Sequence, residues 1–419
     1  MSDGETFVSK SLKGMLWTGG GRLALRVIQF LFGIVLARIL TPADYGTVGM
    51  LAIFFAVSET LVDCGFSAAF IRKRDRTDLD ASTVYVFSVA VAAVIVAVLF
   101  ALAPAVARFY VRPDLAAVMR VLSLTLLAAA AASVPHALLR IRLAFRAITL
   151  VNVVAMVASA SLGVILALRG LGVWALVWQS LAWSAAWCVL MHVVAHYRPR
   201  WGCSFAALRE FFAFGWKHLV ASLVNTASEN FHFLVIGRAF GAESVGNLSR
   251  GEAWARLPSY VALDALTKVN YPLLVPFQDD PRRLAREHLR LSALALAVLA
   301  PVLGAMAYFA PELIATVLGA HWLAATEFLR ILAVGSLFQP LGALWLNPLY
   351  LRGRTDVVMK LELAERSVAV AMLLVAVPYG IVAVAWARSV ACVMIAFVNF
   401  AVSAGLLRSA VARLDAGRS

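Results

Sequence analysis

Apolar residues do not alternate along this chain; they come in long runs. A window of about 19 residues resolves twelve of them, at approximately 15–37, 47–71, 82–107, 115–138, 147–168, 172–195, 215–237, 246–274, 289–310, 323–350, 357–377 and 380–407. Each is long enough to cross about 30 Å of hydrocarbon as a helix, some with tilt or a break. A membrane barrel needs short segments of period-two alternation instead. The pattern therefore predicts an all-α integral membrane protein of about twelve transmembrane helices.

The polar breaks alternate in charge. One set, with the first turns of its flanking spans, carries 23 cations, among them Arg72, Lys73, Arg74 and Arg76, Arg140, Arg142 and Arg146, and Arg282, Arg283, Arg286 and Arg290. The opposite set carries eight: Arg38, Arg108, Arg112, Arg120, Arg169, Arg238, Arg250 and Arg330. Cytoplasmic loops hold the excess of Lys and Arg, so both termini are expected in the cytoplasm of a bacterium, with the helices in its inner membrane. Composition agrees. Hydrophobic residues make up 62% and charged residues 14% of the 419 positions, and mean hydropathy is +0.86. A soluble domain is about 45–50% apolar and about 25% charged. The formal charge of +14 is then a record of topology and of anionic membrane lipid, and nucleic acid is not an expected partner.

The halves of the chain resemble each other. The first span ends in Ala37-Arg38-Ile39-Leu40-Thr41-Pro42-Ala43-Asp44-Tyr45-Gly46, the seventh in Gly237-Arg238-Ala239-Phe240-Gly241-Ala242-Glu243-Ser244-Val245-Gly246. Each Arg precedes a Gly by eight residues, and Trp17 and Trp216 open the two spans. Spans one and seven run in the same direction, so the repeat is parallel and predicts two six-helix bundles, a transporter design with the site between repeats. The expected lobes are 1–195 and 215–419. The break between them, 196–214, sets Phe205, Leu208, Phe211 and Phe212 against Arg209 and Glu210 and is expected along the membrane surface. Cys64, Cys188, Cys203 and Cys392 are far apart, and the seven histidines form no ligand pattern. Neither a disulfide framework, a metal site nor a cofactor is expected, and no cleavable leader is read.

A charge at bilayer depth costs about 2.5–3.5 kcal/mol on insertion scales. The first span nevertheless holds Arg22, Arg26, Gln29 and Gly33, whose spacings of four, three and four share one helix face. Two guanidiniums one turn apart match a diphosphate, because Arg forks bind phosphate oxygens in pairs. The alternative is snorkelling to the headgroups, or an ion pair with another helix. Glu59 and Asp63, four apart on the second span, either neutralise these arginines or couple protons. Asn225, Glu229 and His232 form a polar stripe on the seventh span, beside Ser228, as cavity groups or as a static hydrogen-bond network. On the eighth span, Arg256 lies two residues before Pro258, which predicts a helix break at a cavity. Arg250 and Glu252, near its outer end, read as solvated. Arg330, Arg366 and Arg388, near span ends or near acids such as Glu327, Glu362 and Glu365, read as structural.

With these residues in place, a family resemblance emerges. Leu36-Ala37-Arg38-Ile39-Leu40-Thr41-Pro42-Ala43-Asp44-Tyr45-Gly46 resembles the LARxLxPxDYG loop of polysaccharide-export (Wzx-type) flippases of the multidrug/oligosaccharidyl-lipid/polysaccharide (MOP) superfamily. Further matches follow in order: Asp63-Cys64-Gly65-Phe66, Arg140 to Arg146, Ile236-Gly237-Arg238, Arg256-Leu257-Pro258, Gly319-Ala320-His321-Trp322 and Arg352-Gly353-Arg354-Thr355-Asp356. The resemblance covers nearly the whole chain. It implies two lobes in a V, alternating access, and an undecaprenyl-diphosphate-linked oligosaccharide carried between leaflets. Family cavities are commonly cationic, which assigns Arg22, Arg26, Gln29 and Arg256 to the substrate and leaves Glu59, Asp63, Asn225, Glu229 and His232 as coupling or cavity groups. One departure stands out: His232 occupies a place where the family often has an Asp. The expected partners are the lipid-linked oligosaccharide, membrane lipid, and the polysaccharide polymerase with other export machinery. Two other functions compete: a cation-coupled multidrug antiporter of the same superfamily, and a membrane-bound polymerase or glycosyltransferase.

Overall fold

The computed structural model describes residues 25–63, 66–73, 75–199, 202–277 and 280–416, and these are helical almost throughout, with no strand among them. In chain order the helices are α1 (Leu25–Ile39), α2 (Pro42–Met50), α3 (Ala52–Asp63), α4 (Phe66–Arg72), α5 (Asp78–Phe109), α6 (Asp114–Ile141), α7 (Phe145–Leu168), α8 (Val173–Ala195), α9 (205–240), α10 (242–274), α11 (Pro281–Tyr308), α12 (Ala310–Val317), α13 (Ala325–Trp345), α14 (Asn347–Leu351), α15 (Thr355–Ala376) and α16 (Ile381–Ala416). Among the described residues, eight helices are long and apolar enough to cross a membrane, or nine if the bent pair α1 and α2 is one span. The chain is a multi-pass membrane protein. It divides into two compact units, Met1–Ala242 and Glu243–Ser419.

In the first unit, α1 and α2 meet at a bend of 117°, and the bend is written in the sequence. Thr41 is extended (φ −83°, ψ 160°), and its Oγ1 accepts from the Asp44 N–H at 3.3 Å. The Asp44 carboxylate accepts from the Thr41 N–H at 2.9 Å. This is a capping box, with Pro42 at the first helical position where its missing N–H costs nothing. Two glycines then allow close packing. A Cβ on Gly46 would lie 1.6 Å from the Ala242 carbonyl oxygen, and one on Gly237 2.8 Å from Met50 Cγ and 2.9 Å from Tyr110. The Tyr110 hydroxyl donates to the Met50 carbonyl (2.8 Å), closing the same junction.

The predicted second span, 47–71, is divided. The end of α2 turns tightly into α3 at Leu51, whose N–H reaches the Val48 carbonyl at 3.1 Å. Residues 205–214, expected as a surface segment, are the first turns of α9, continuous with the seventh span. Ala207 and Phe211 are buried there against Phe66, Phe70, Val84 and Ala137. Lys73 fastens this start, donating to Glu210 at 2.9 Å and to Asp80 at 3.1 Å. Glu210, then Asp80, hold its pKa above the usual lysine value.

Helix α5 shows the packing logic of the unit. Its fully buried positions include Ala92 and Ala103, while Val94, Val98 and Leu102 are exposed at 63%, 48% and 45%. The buried face mixes Ala92 and Ala103 with Val96, Leu99 and Val106, and large apolar side chains also stand outward, because lipid removes any penalty for exposing them. The second unit repeats this at the α13–α16 seam. A Cβ on Gly335 would sit 2.9 Å from Ser389 Cα, and Ser389 donates to the Ile331 carbonyl at 2.7 Å. On α10, a Cβ at Gly251 would meet Phe328 at 2.8 Å, and Ser259 donates to the Ser336 carbonyl at 2.6 Å.

The expected break at Pro258 is not where the chain breaks. Backbone angles are helical through it, and the interruption is at Gly241 (φ 81°, ψ 178°), a conformation open to glycine and strained for other residues. Membrane helices accommodate Pro when neighbours satisfy the freed carbonyl groups. The eleventh predicted span is helical as α15 and, with Asp356, Lys360, Glu362, Glu365 and Arg366, is not among the eight helices apolar enough to cross a membrane.

Candidate functional site

In the first unit, α3 and α9 enclose a polar cleft of about 380 Å³. It is lined by Glu59, Thr60 and Asp63 from α3 and by Leu219, Ser222, Asn225 and Thr226 from α9. Both sets follow helical spacing, i to i+4 on one side and i, i+3, i+6 and i+7 on the other, so each helix turns one polar stripe toward the other. The Thr60 and Thr226 hydroxyl oxygens are 3.2 Å apart. Thr60 spends its proton on the Ala56 carbonyl (2.9 Å), which leaves Thr226 to donate across the gap. Asp63 accepts from the Ser67 hydroxyl at 2.6 Å, and the Asn230 amide donates to the Thr226 carbonyl at 2.9 Å.

Three of the residues singled out from sequence, Glu59, Asp63 and Asn225, therefore share one cavity. Glu229 is exposed one turn beyond Asn225, and His232, a further turn on, is buried with its ring 4.0 Å from that of Phe233. Arg26 and Gln29 are exposed on α1, and Arg22 lies outside the described residues. Thr60, Ser222 and Thr226 were not singled out. Their signal was present: Ser222 and Thr226 sit on the face that carries Asn225 and Glu229.

Arg256 belongs to a different arrangement, inside the second unit. Its Nη2 is 2.9 Å from Glu252 Oε1, and Arg388 Nη2 donates to that same oxygen at 2.5 Å. Glu252 is 6% exposed. It is not a solvated outer residue but the centre of an ion triple with Arg256 and Arg388. Gln339, Ser336, Ser389 and Cys392 close around the triple, leaving about 20 Å³, roughly one water molecule's room.

The two sites differ in what they can do. The cleft offers carboxylate, amide and hydroxyl groups, the set that hydrogen-bonds sugar hydroxyls. Its two carboxylates repel a diphosphate, which must find its cations elsewhere. In the triple, one carboxylate shared by two guanidiniums leaves a net charge of +1 held by packing.

This helical architecture has counterparts among solved membrane proteins. It is similar to the lipid II flippase MurJ in an inward closed conformation, with a TM-score of 0.75 at 12% identity over 93% of this chain and 87% of MurJ. It is also similar to an inward-facing multidrug resistance MATE family transporter of the MOP superfamily, with a TM-score of 0.70 at 17% identity over 91% and 95% of the two chains. Within that fold the sequence is more specific: a family model for polysaccharide biosynthesis proteins matches residues 35–327, and the chain belongs to that family. It is 25% identical to the teichuronic acid biosynthesis protein TuaB of Bacillus subtilis (strain 168), over 94% of this chain and 82% of TuaB. It is 24% identical to the lipopolysaccharide biosynthesis protein WzxC of Escherichia coli (strain K12), over 84% and 72%. The succinoglycan biosynthesis transport protein ExoT of Rhizobium meliloti (strain 1021) is 23% identical, over 73% and 62%.

Proposed function

We propose that this protein moves undecaprenyl-diphosphate-linked oligosaccharide units from the cytoplasmic to the periplasmic leaflet of a bacterial inner membrane, by alternating access, for surface polysaccharide or exopolysaccharide synthesis. Family membership over residues 35–327 carries the reading. The names of TuaB, ExoT and WzxC, all tied to surface polymers, support it. In this reading both termini are cytoplasmic, and residues 1–195 and 215–419 supply the two lobes, joined through 196–204 and the first turns of α9. No catalytic step is assigned, so purified protein is expected to transfer no sugar.

The labour divides by charge. Arg22 and Arg26, one turn apart, take the diphosphate. Gln29, Glu59, Asp63 and Asn225 take sugar hydroxyls in the polar interior, with Glu229 and His232 as coupling groups along the α9 stripe. Arg256 reaches substrate only in a state where the Glu252 triple opens. The lipid tail stays in the bilayer.

The test is surface polymer together with the leaflet location of lipid-linked units, in a strain lacking this gene. Accumulation on the cytoplasmic face, rescued by wild type and not by Arg26→Ala, is expected. Rescue by Arg22→Ala and Arg26→Ala alike overturns the diphosphate site. The acidic lining of the cleft, Glu59 and Asp63, favours one second reading, a cation-coupled multidrug antiporter. That reading predicts sensitivity to cationic dyes with normal polymer in the deletion strain.

A further inference from the structure

A second cavity in the first unit, of about 340 Å³, lies among the ends of three spans and serves no step of the transport reading. It is bordered by the connection from α4 to α5, the end of α6 and the segment after α8, which all sit at one edge of the helices. Arg76, Arg142 and Arg198 line it, with Thr77, Ser82 and His196.

Two of the arginines, Arg76 and Arg142, are held by backbone, not by acids. Arg76 Nε donates to the Lys73 carbonyl at 2.9 Å and its Nη2 to the Ile71 carbonyl at 3.4 Å. Arg142 Nη1 donates to the Ala195 carbonyl at 3.1 Å. Main-chain carbonyl groups orient a guanidinium without cancelling its charge, and each fork keeps further N–H donors. Asp78 also lines the cavity. Three arginines against one aspartate leave +2 with His196 neutral. His196 enters through a left-handed backbone (φ 53°, ψ 34°) that ends α8.

The volume falls in the range of small-ligand sites, and a net positive pocket lined by guanidinium forks selects phosphate oxygens. Its borders select the source of that phosphate. Leu79, Leu143 and Val193, within a few residues of the lining arginines and helix ends, are exposed large apolar side chains. Apolar surface beside an anion pocket at the edge of a membrane bundle suits acyl chains under a headgroup. We propose that this pocket holds the phosphate of an anionic phospholipid headgroup.

The test uses the full chain in detergent, titrated with dioleoylphosphatidylglycerol or dioleoylphosphatidylcholine and read by native mass spectrometry. Phosphatidylglycerol is expected to stay bound where phosphatidylcholine does not. Its retention should weaken about a hundredfold in Arg76→Gln/Arg142→Gln/Arg198→Gln, at about fivefold for each cation removed. Arg198→Gln alone, at an exposed residue that makes no hydrogen bond among the described residues, gives a smaller loss without touching the fold. A large excess of inorganic phosphate should not displace the lipid. Equal retention of the two lipids, retention unchanged in both variants, or displacement by inorganic phosphate each overturns the assignment. Transport plays no part in this readout, so its failure leaves the flippase reading standing.

Discussion

Each unit carries acids on its helices, and the two treat them in opposite ways: Glu59 and Asp63 are exposed, Glu252 is buried. Glu59 and Asp63 border a cleft of about 380 Å³, with hydroxyl and amide neighbours and room to spare. Glu252 is clamped by Arg256 and Arg388 in a space of about 20 Å³. The same residue type is thus available to a ligand in one unit and committed to a helix–helix tie in the other. What separates them is the identity of the facing helix. Opposite α3 stands α9 with Ser222, Asn225 and Thr226; opposite α10 stands α16 with Arg388. A buried acid that already owns a guanidinium is structural until something pulls the pair apart.

The sharpest way to break this contrast is Glu252→Gln. It strands two guanidiniums, and removing one partner of a buried pair costs about 3–5 kcal/mol. The expected result is a large drop in melting temperature and in membrane yield, partly restored by adding Arg388→Met. A melting temperature equal to wild type would show that Glu252 is not clamped. The mirror experiment is Glu59→Gln/Asp63→Asn. It leaves no cation stranded among the described cleft residues, so thermal stability should change little. Loss of two hydrogen-bonding acceptors, at about 0.5–1.5 kcal/mol each, should lower transport of lipid-linked units about tenfold. Stability loss with intact transport would make the cleft a structural tie like the triple.

Smaller effects refine the picture. Thr226→Val removes the hydroxyl that bridges α9 to Thr60 and should cost about 1 kcal/mol, seen as a modest melting shift. Thr41→Ala removes the cap on α2. Its expected cost, about 0.5–2 kcal/mol, is measured the same way, and the effect should stay local to the α1–α2 bend.

Much of this was legible because lipid imposes a simple code. A helix must be about 20 apolar residues long, so runs translate directly into spans. Thr41-Pro42-Ala43-Asp44 is a local signal as well, since a capping box needs only four residues. Of the stripe read on α9, Asn225 lines the cleft, while Glu229 is exposed and His232 is buried beside Phe233. Other features depend on partners far along the chain. Glu252 is decided by Arg388, 136 residues away, and no local pattern announces which helices meet. Pro258 misled for a related reason. Pro breaks a helix in water, but neighbouring helices can satisfy its freed carbonyl, whereas Gly241 supplies the one backbone conformation that does interrupt α9 and α10.

On α5, Ala92 and Ala103 face inward and Val94 and Val98 outward, and these four positions reverse the usual rule for mutational tolerance. In a soluble protein a surface position accepts nearly any polar residue, and a core position accepts only a shape match. Here Val94 and Val98 can become Leu, Ile or Phe without consequence, since lipid has no fixed shape to match, whereas a polar substitution pays for hydrocarbon. Ala92 and Ala103 face the reverse constraint: Ser or Gly fits, and a single added methylene separates two helices. A library varying all four positions should therefore sort by polarity on the outer face and by volume on the inner one.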